Sequence, residues 1–260
     1  MIDNTIDASS FTTVRLLAAV VTLFMLIQLG RQKDSINSQG SWLSGLILFI
    51  YAITVSYAYI TLDTGVGALI LFGAVQLTIV FLSILSGHKL HISEWAGVLI
   101  AFCGFVYLML PDAKAPSWEG FVLMTISGTA WGIYTFLGRT SRYPLEDTAY
   151  NFFKTIPYII ILIIVTHEDI QYTSEGIIWA VLSGAVTSAI GYTIWYMTLQ
   201  RLHQVQAAVF QLLVPIIASL GGFLFVSEPI TFHLAVSSFI ILGGILLVVL
   251  GRYSLLKRKA

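Results

Sequence analysis

Residues 66–86 read VGALILFGAVQLTIVFLSILS, a stretch with no charged side chain and a single amide, Gln76, at its centre. A helix crosses the hydrocarbon core of a bilayer in roughly 20 mostly apolar residues, and this stretch has that length and composition. Working outward from it, comparable stretches recur at 11–30, 41–61, 93–110, 119–138, 148–166, 175–199, 205–226 and 230–251. Together they fill nearly the whole chain. Hydrophobic residues make up 57% of it and charged residues 10%, with a mean hydropathy of +0.89, whereas soluble domains carry about a quarter charged residues. The expectation is an all-α polytopic membrane protein, a bundle of about nine transmembrane helices.

Charge alternates along the chain. If every stretch crosses, Arg31, Lys33, Lys89, Arg139, Arg142, Arg201, Arg252, Lys257, Arg258 and Lys259 share one side. The other side holds Asp3, Asp7, Asp63, Asp112, Glu119, Glu168, Asp169, Glu175 and Glu228, with Lys114 its one basic residue. Basic loops stay cytoplasmic, so the C-terminus is expected inside the cell membrane and the N-terminus outside. The tail Lys257-Arg258-Lys259 suits contact with anionic lipid headgroups. A net charge of +0 gives no reason to expect a nucleic-acid partner. Met1–Asp7 lacks the basic region of a signal peptide, and the lone Cys103 excludes an intrachain disulfide.

The second half echoes the first. Ser9–Arg15 and Thr148–Lys154 are both polar approaches to a helix with one cation inside, Ala68 echoes Ala208, Gly87-His88 echoes Ser227-Glu228, and Gly104 echoes Gly244. The offset is roughly 140 residues throughout, the mark of a tandem repeat. Five helices per copy puts the copies in opposite orientations, an inverted-topology 5+5 plan with a binding site near the midplane. The division expected is 1–114 for the first copy and 115–260 for the second. The stretch around Trp118–Arg139 has no counterpart in the first copy, so the chain reads as 4+5 with the first helix missing.

In order and spacing, Ser10–Ala18 with Arg15, Tyr57–Ala68, Gly87–Gly104, Gly128–Arg139, Trp195–Leu202 and Ala207–Glu228 resemble the EamA-like family of the drug/metabolite transporter superfamily. The last segment has Pro215 in mid-helix and Ser227-Glu228-Pro229-Ile230 at its outer end. The resemblance covers nearly the whole chain. It implies ten helices, cytoplasmic termini and movement of small metabolites, amino acids or drugs; the missing first helix is the departure from that pattern.

A charge at mid-bilayer costs about 2.5–3.5 kcal/mol on insertion scales, so Arg15 and Lys154 stand out. Either they snorkel, stems in lipid and heads at the interface, or they turn inward to meet an anionic substrate group. No Asp or Glu lies near the middle of a span, which favours facilitated diffusion or exchange over a carboxylate proton relay. Gln76 needs a protein or wet surrounding, because an amide alone in hydrocarbon is costly. Gln211 shares a face with Ala207, Ala208, Pro215, Ala218 and Ser219, which is either a close-packing face or a cavity wall. Pro215 interrupts its helix and offers a hinge. Tyr192, Trp195 and Tyr196 lie on one helix face, with Tyr57 and Tyr59 in the matching outer place; both sets read as aromatic belts or as a gate. Trp131 lies too deep for a belt and reads as a cavity residue.

Enzyme motifs are missing: there is no HExxH, phosphate-cradling glycine loop or nucleophile elbow. His167-Glu168-Asp169 reads as a solvated turn, and neither a metal nor a cofactor is expected. Two functions remain open. One is an exporter or exchanger of a small molecule, working by alternating access through a central cavity. The other is an accessory or truncated membrane protein whose open wall would be sealed by a partner helix or a second copy.

Overall fold

The computed structural model describes residues 5–30, 39–87, 90–110, 116–168, 170–214, 216–217, 220, 224 and 231–257. The order is α1 (Ala8–Gly30), α2 (Trp42–Thr61), α3 (Thr64–Leu85), α4 (Ile92–Met109), α5 (Trp118–Gly138), α6 (Pro144–Phe153), α7 (Ile156–Val165) and α8 (Ser174–Leu182). A π-helical stretch, Ser183–Ile190, leads into α9 (Gly191–Leu199), followed by α10 (Gln204–Phe210) and α11 (Phe232–Lys257). The described residues form no strand beyond one isolated antiparallel bridge between Ile6 and Tyr172. They contain eight spans long and apolar enough to cross a membrane, with α6–α7 and α8–α9 each counted as one. The remaining expected stretch, 205–226, opens with α10 and then runs through residues partly outside the described ones, Pro215 among them.

All-helical spanning follows from the solvent. With no water in the bilayer core, a backbone must satisfy its own N–H and C=O groups. Helix starts are secured by side chains: Ser117 Oγ accepts from the Gly120 N–H at 3.1 Å and Thr173 Oγ1 from the Gly176 N–H at 3.2 Å. Glu94 Oε2 and Gln206 Oε1 take the N–H groups of His91 and His203 at 2.9 and 3.0 Å, the same device at the starts of α4 and α10.

The expected span 148–166 is not one helix. Pro157 has no N–H to give the Phe153 carbonyl, and the helix closes at Lys154 and reopens at Ile156. At the break Thr155 donates Oγ1–H back to the Phe152 carbonyl at 2.6 Å.

The chain packs as two compact units, residues 1–62 with 116–201 and residues 63–115 with 202–260. Each draws helices from both halves of the sequence. In the first unit, small and hydroxyl residues bring helices close, as packing inside a bilayer requires. Thr12 Oγ1 donates to Ser56 Oγ at 2.8 Å between α1 and α2, and Ser127 Oγ donates to the Tyr51 carbonyl at 3.1 Å between α5 and α2. Gly184 lies against the Arg15 carbonyl, where no side chain would fit.

In the second unit α4 and α11 cross at their glycines. A Cβ on Gly97 would fall 2.6 Å from the Gly244 carbonyl, and one on Gly104 3.0 Å from Ile241. Gly244 in turn lies on the Ala101 backbone. Val98, Ala101, Phe105, Val209, Leu212, Ile241 and Val248 form the core there.

Helix surfaces away from these contacts are apolar. Leu17, Val21, Met25 and Leu29 make an exposed stripe at four-residue spacing along α1, which in a bilayer faces lipid. Loops that alternate crossing assigns to one face meet each other. Thr5 O accepts the Thr173 N–H at 2.7 Å, and Ser117 reaches Thr61 at 2.8 Å. At the opposite face Asn151 Oδ1 accepts the Ser41 N–H at 2.8 Å, and Gln200 donates to the Ser141 carbonyl.

Candidate functional site

Arg15 lies about two turns inside α1, deeper than the stretch 11–30 implies because the helix begins at Ala8. Its guanidinium does not turn back toward the helix start. Nε donates to Ser188 Oγ at 3.0 Å, Nη2 to the Tyr192 hydroxyl at 3.4 Å, and Cζ stands 5.8 Å from the centre of the Tyr51 ring. Tyr51 is at the middle of α2, so the charge sits at mid-depth. Ser188 belongs to the π-helical stretch and Tyr192 to the first turn after it. Gly184 admits α1 close enough for both to be reached. No carboxylate among the described residues pairs with Arg15.

Aromatic rings extend from this charge. Tyr51 and Trp131 have centroids 5.0 Å apart, Trp131 and Tyr192 4.6 Å, and Tyr192 and Phe152 5.7 Å. Trp131 continues to Tyr134 at 6.0 Å, and Tyr134 meets the edge of Tyr196 at 5.3 Å. The Tyr196 ring fits because Gly138 opposes it without a side chain. Asn151 Nδ2 reaches the Tyr134 hydroxyl at 3.4 Å. Tyr134, Phe152 and Tyr196 are buried, while Arg15, Tyr51, Trp131 and Tyr192 are half-buried and form the accessible side of the group.

The structure thus brings Arg15, Trp131, Tyr192 and Tyr196 together. Trp195 stays apart, its indole N–H buried with no hydrogen-bond partner among the described residues. Lys154 sits at the helix break, donating from Nζ to the carbonyls of Gln39 at 2.6 Å and Gly40 at 3.1 Å, 5.5 Å from the Trp42 ring. There it pins the approach to α2.

Gln76 and Gln211 are in the second unit. Gln76 is 3% exposed, and neither its Oε1 nor its Nε2 has a partner among the described residues. Gln211, also buried, donates Nε2–H to the Ala207 carbonyl at 3.3 Å. Ser83 donates to Gln204 Oε1 at 2.6 Å, which sets the register of α3 against α10. Pro215 lies outside the described residues. His167 Nε2 is 3.8 Å from Glu168 Oε1 on the exposed turn after α7, and Asp169 is outside the described residues.

Tyr51, Ser188, Tyr134 and Asn151 went unmarked in the sequence. Tyr51 was legible by the argument that marked Trp131, an aromatic too deep for a belt. Ser188 was not, because nothing in SGAVTSAI announces a π-helical stretch.

A bundle of membrane-length apolar helices, with one charge held among rings at mid-depth, defines a multi-pass membrane protein with a polar interior group. Residues 118–250 match the profile of the EamA-like transporter family. An uncharacterized protein of Pseudomonas aeruginosa is 40% identical, over 96% of this chain and 87% of its own length. A protein of Archaeoglobus fulgidus described as an uncharacterized transporter is 24% identical over 81% of this chain and 77% of its own. A protein of known crystal structure shares the fold, with a TM-score of 0.78 at 16% identity over 95% of this chain and 89% of its own. The chain belongs to the EamA-like transporter family and is a membrane transporter; that membership points away from enzymatic chemistry.

Proposed function

We propose that the chain moves a small metabolite, amino acid or drug across the cell membrane by alternating access, as an exporter or exchanger, and that the Arg15–Tyr51–Trp131–Tyr192 group holds the cargo. One observation carries this reading. Both hydroxyls that accept from Arg15 come from the π-helical stretch Ser183–Ile190 and the turn after it, Ser188 and Tyr192, and Tyr192 meets Phe152, close before the break between α6 and α7. Interrupted helices are costly in a bilayer and recur where transporters hold their cargo, and π-helical turns recur at functional sites.

An inverted repeat, 1–114 against 115–260, fits the α4–α11 crossing. The contact of Gly104 with Ile241 is mirrored by the contact of Gly244 with Ala101. Each residue lies about 140 positions from its counterpart in the other contact, as a two-fold relation between repeats requires. The preference of basic loops for the cytoplasm supports a C-terminus inside and, with nine crossings, an N-terminus outside.

Cysteine accessibility tests the alternating part. Cys103 is the single cysteine, so Cys103→Ser gives a silent background for Tyr51→Cys. A membrane-impermeant thiol reagent is expected to modify position 51 from either face of the membrane. Modification from one face alone would contradict alternating access.

A further inference from the structure

The accessible side of the site consists of three rings and one cation. Rings alone would suit a cationic cargo, since their faces are electron-rich. Arg15 reverses that preference, because a second cation beside it would be repelled at close range in a medium that screens weakly. Its own charge is not balanced: no carboxylate among the described residues pairs with it, and its partners, Ser188 and Tyr192, are neutral hydroxyls. A guanidinium presents a fork of donors. Nε and Nη2 donate to the hydroxyls of Ser188 and Tyr192 and the Tyr51 hydroxyl is a further partner; all three are neutral, so the negative charge that would balance the guanidinium is left for a ligand to supply. The planar geometry of that fork matches a carboxylate.

A purely anchoring role does not explain the placement. An anchoring arginine extends to the headgroups, whereas this one reaches Tyr51 at the middle of α2. Trp131 and Tyr192 stand 4.6 Å apart at 49°, and with Tyr51 they offer flat apolar surface next to the charge. From these features we infer that the site recognises a small organic monoanion, a carboxylate borne on a planar apolar body. Arg15 contacts the charge, and the rings of Tyr51, Trp131 and Tyr192 cover the body. This rests on the transport reading above and adds the class of cargo to it.

Binding of simple probes to the full-length protein in lipid nanodiscs tests it by titration calorimetry. Benzoate is set against benzamide, which has the same shape without the charge, against benzylamine, which has the opposite charge, and against acetate and inorganic phosphate, which lack the ring. Benzoate is expected to bind at least tenfold more tightly than each of the others. Arg15→Gln is expected to remove the preference for benzoate over benzamide, and Arg15→Lys to keep part of it.

Equal binding of benzamide or benzylamine by the unaltered protein overturns the anion reading, and that comparison needs no variant to fold. Equal binding of acetate or phosphate overturns the planar body. Absence of binding by every probe overturns both. Flux of some other cargo by the same preparation would then show that the transport reading survives without the inferred class.

Discussion

Arg15, half-buried, and Gln76, buried, are both polar groups among apolar helices, and they are satisfied to different degrees. Arg15 has the hydroxyls of Ser188, Tyr192 and Tyr51 as partners, while the Gln76 amide has none among the described residues. An unpaired buried amide costs on the order of 1–3 kcal/mol, so Gln76 does not stabilise its unit by hydrogen bonding. Gln76→Leu is therefore expected to leave the melting temperature in detergent unchanged or raise it. A fall of several degrees would mean that the amide serves the fold.

Asp7 is the opposite case, a charge outside the spans that organises the start of α1. Burial pushes its carboxyl up, but hydrogen bonds from Ser10, Ser9 and the Gln171 amide outweigh this and take the pKa from 3.8 to about 2. Because the folded value is the lower one, the stabilisation is complete above about pH 4 and is lost as pH falls toward 2. Exposed interactions of this kind are individually weak. Asp7→Asn should speed hydrogen exchange at the Ser10 and Gln171 amides. Protection in the unaltered protein should stay level from pH 5 to 8, and a change across that range would contradict the assignment.

Among the elements, the spans were legible and their interruptions were not. Hydropathy located eight of the spans to within a few residues, because a bilayer leaves the backbone little choice but helix. Pro157 was visible in the sequence, but whether the helix would kink or break was not; the structure has a break, where the Thr155 hydroxyl donates to the Phe152 carbonyl. The π-helical stretch has no compositional mark at all. For that reason Arg15 and Trp131 could be marked as candidates from the sequence, while Ser188 joined them only in the structure.

Glycine contacts were half legible: Gly104 and Gly244 were paired as repeat equivalents, but not as one crossing. That crossing makes a sharp prediction. A side chain at Gly244 would overlap the Gly97 carbonyl and the Ala101 backbone, whereas Gly243, one position away, has nothing within 4 Å. Gly244→Leu is expected to cost about 3 kcal/mol or more and to lower the melting temperature in detergent, with Gly243→Leu neutral. Equal losses from both would contradict the crossing.

For the whole molecule, family membership establishes a membrane transporter, and the Arg15 group is the place proposed for its cargo. The two compact units each take helices from both halves of the sequence. Hydropathy alone had no means of showing this, because it locates spans without saying which of them pack together. Within the first unit, loops that the charge pattern assigns to one face touch, as Thr5 does Thr173 and Ser41 does Asn151.

The central claim, that cargo crosses by way of the Arg15–Trp131–Tyr192 group, is tested most directly by efflux. Proteoliposomes loaded with the small-molecule fraction of a cell extract are incubated, and the external medium is analysed by mass spectrometry. The account predicts that one compound or a small set leaves vesicles holding the unaltered protein, and stays in empty vesicles and in vesicles holding correctly folded Trp131→Ala. Release equal to that of empty vesicles, or undiminished by Trp131→Ala, would contradict it.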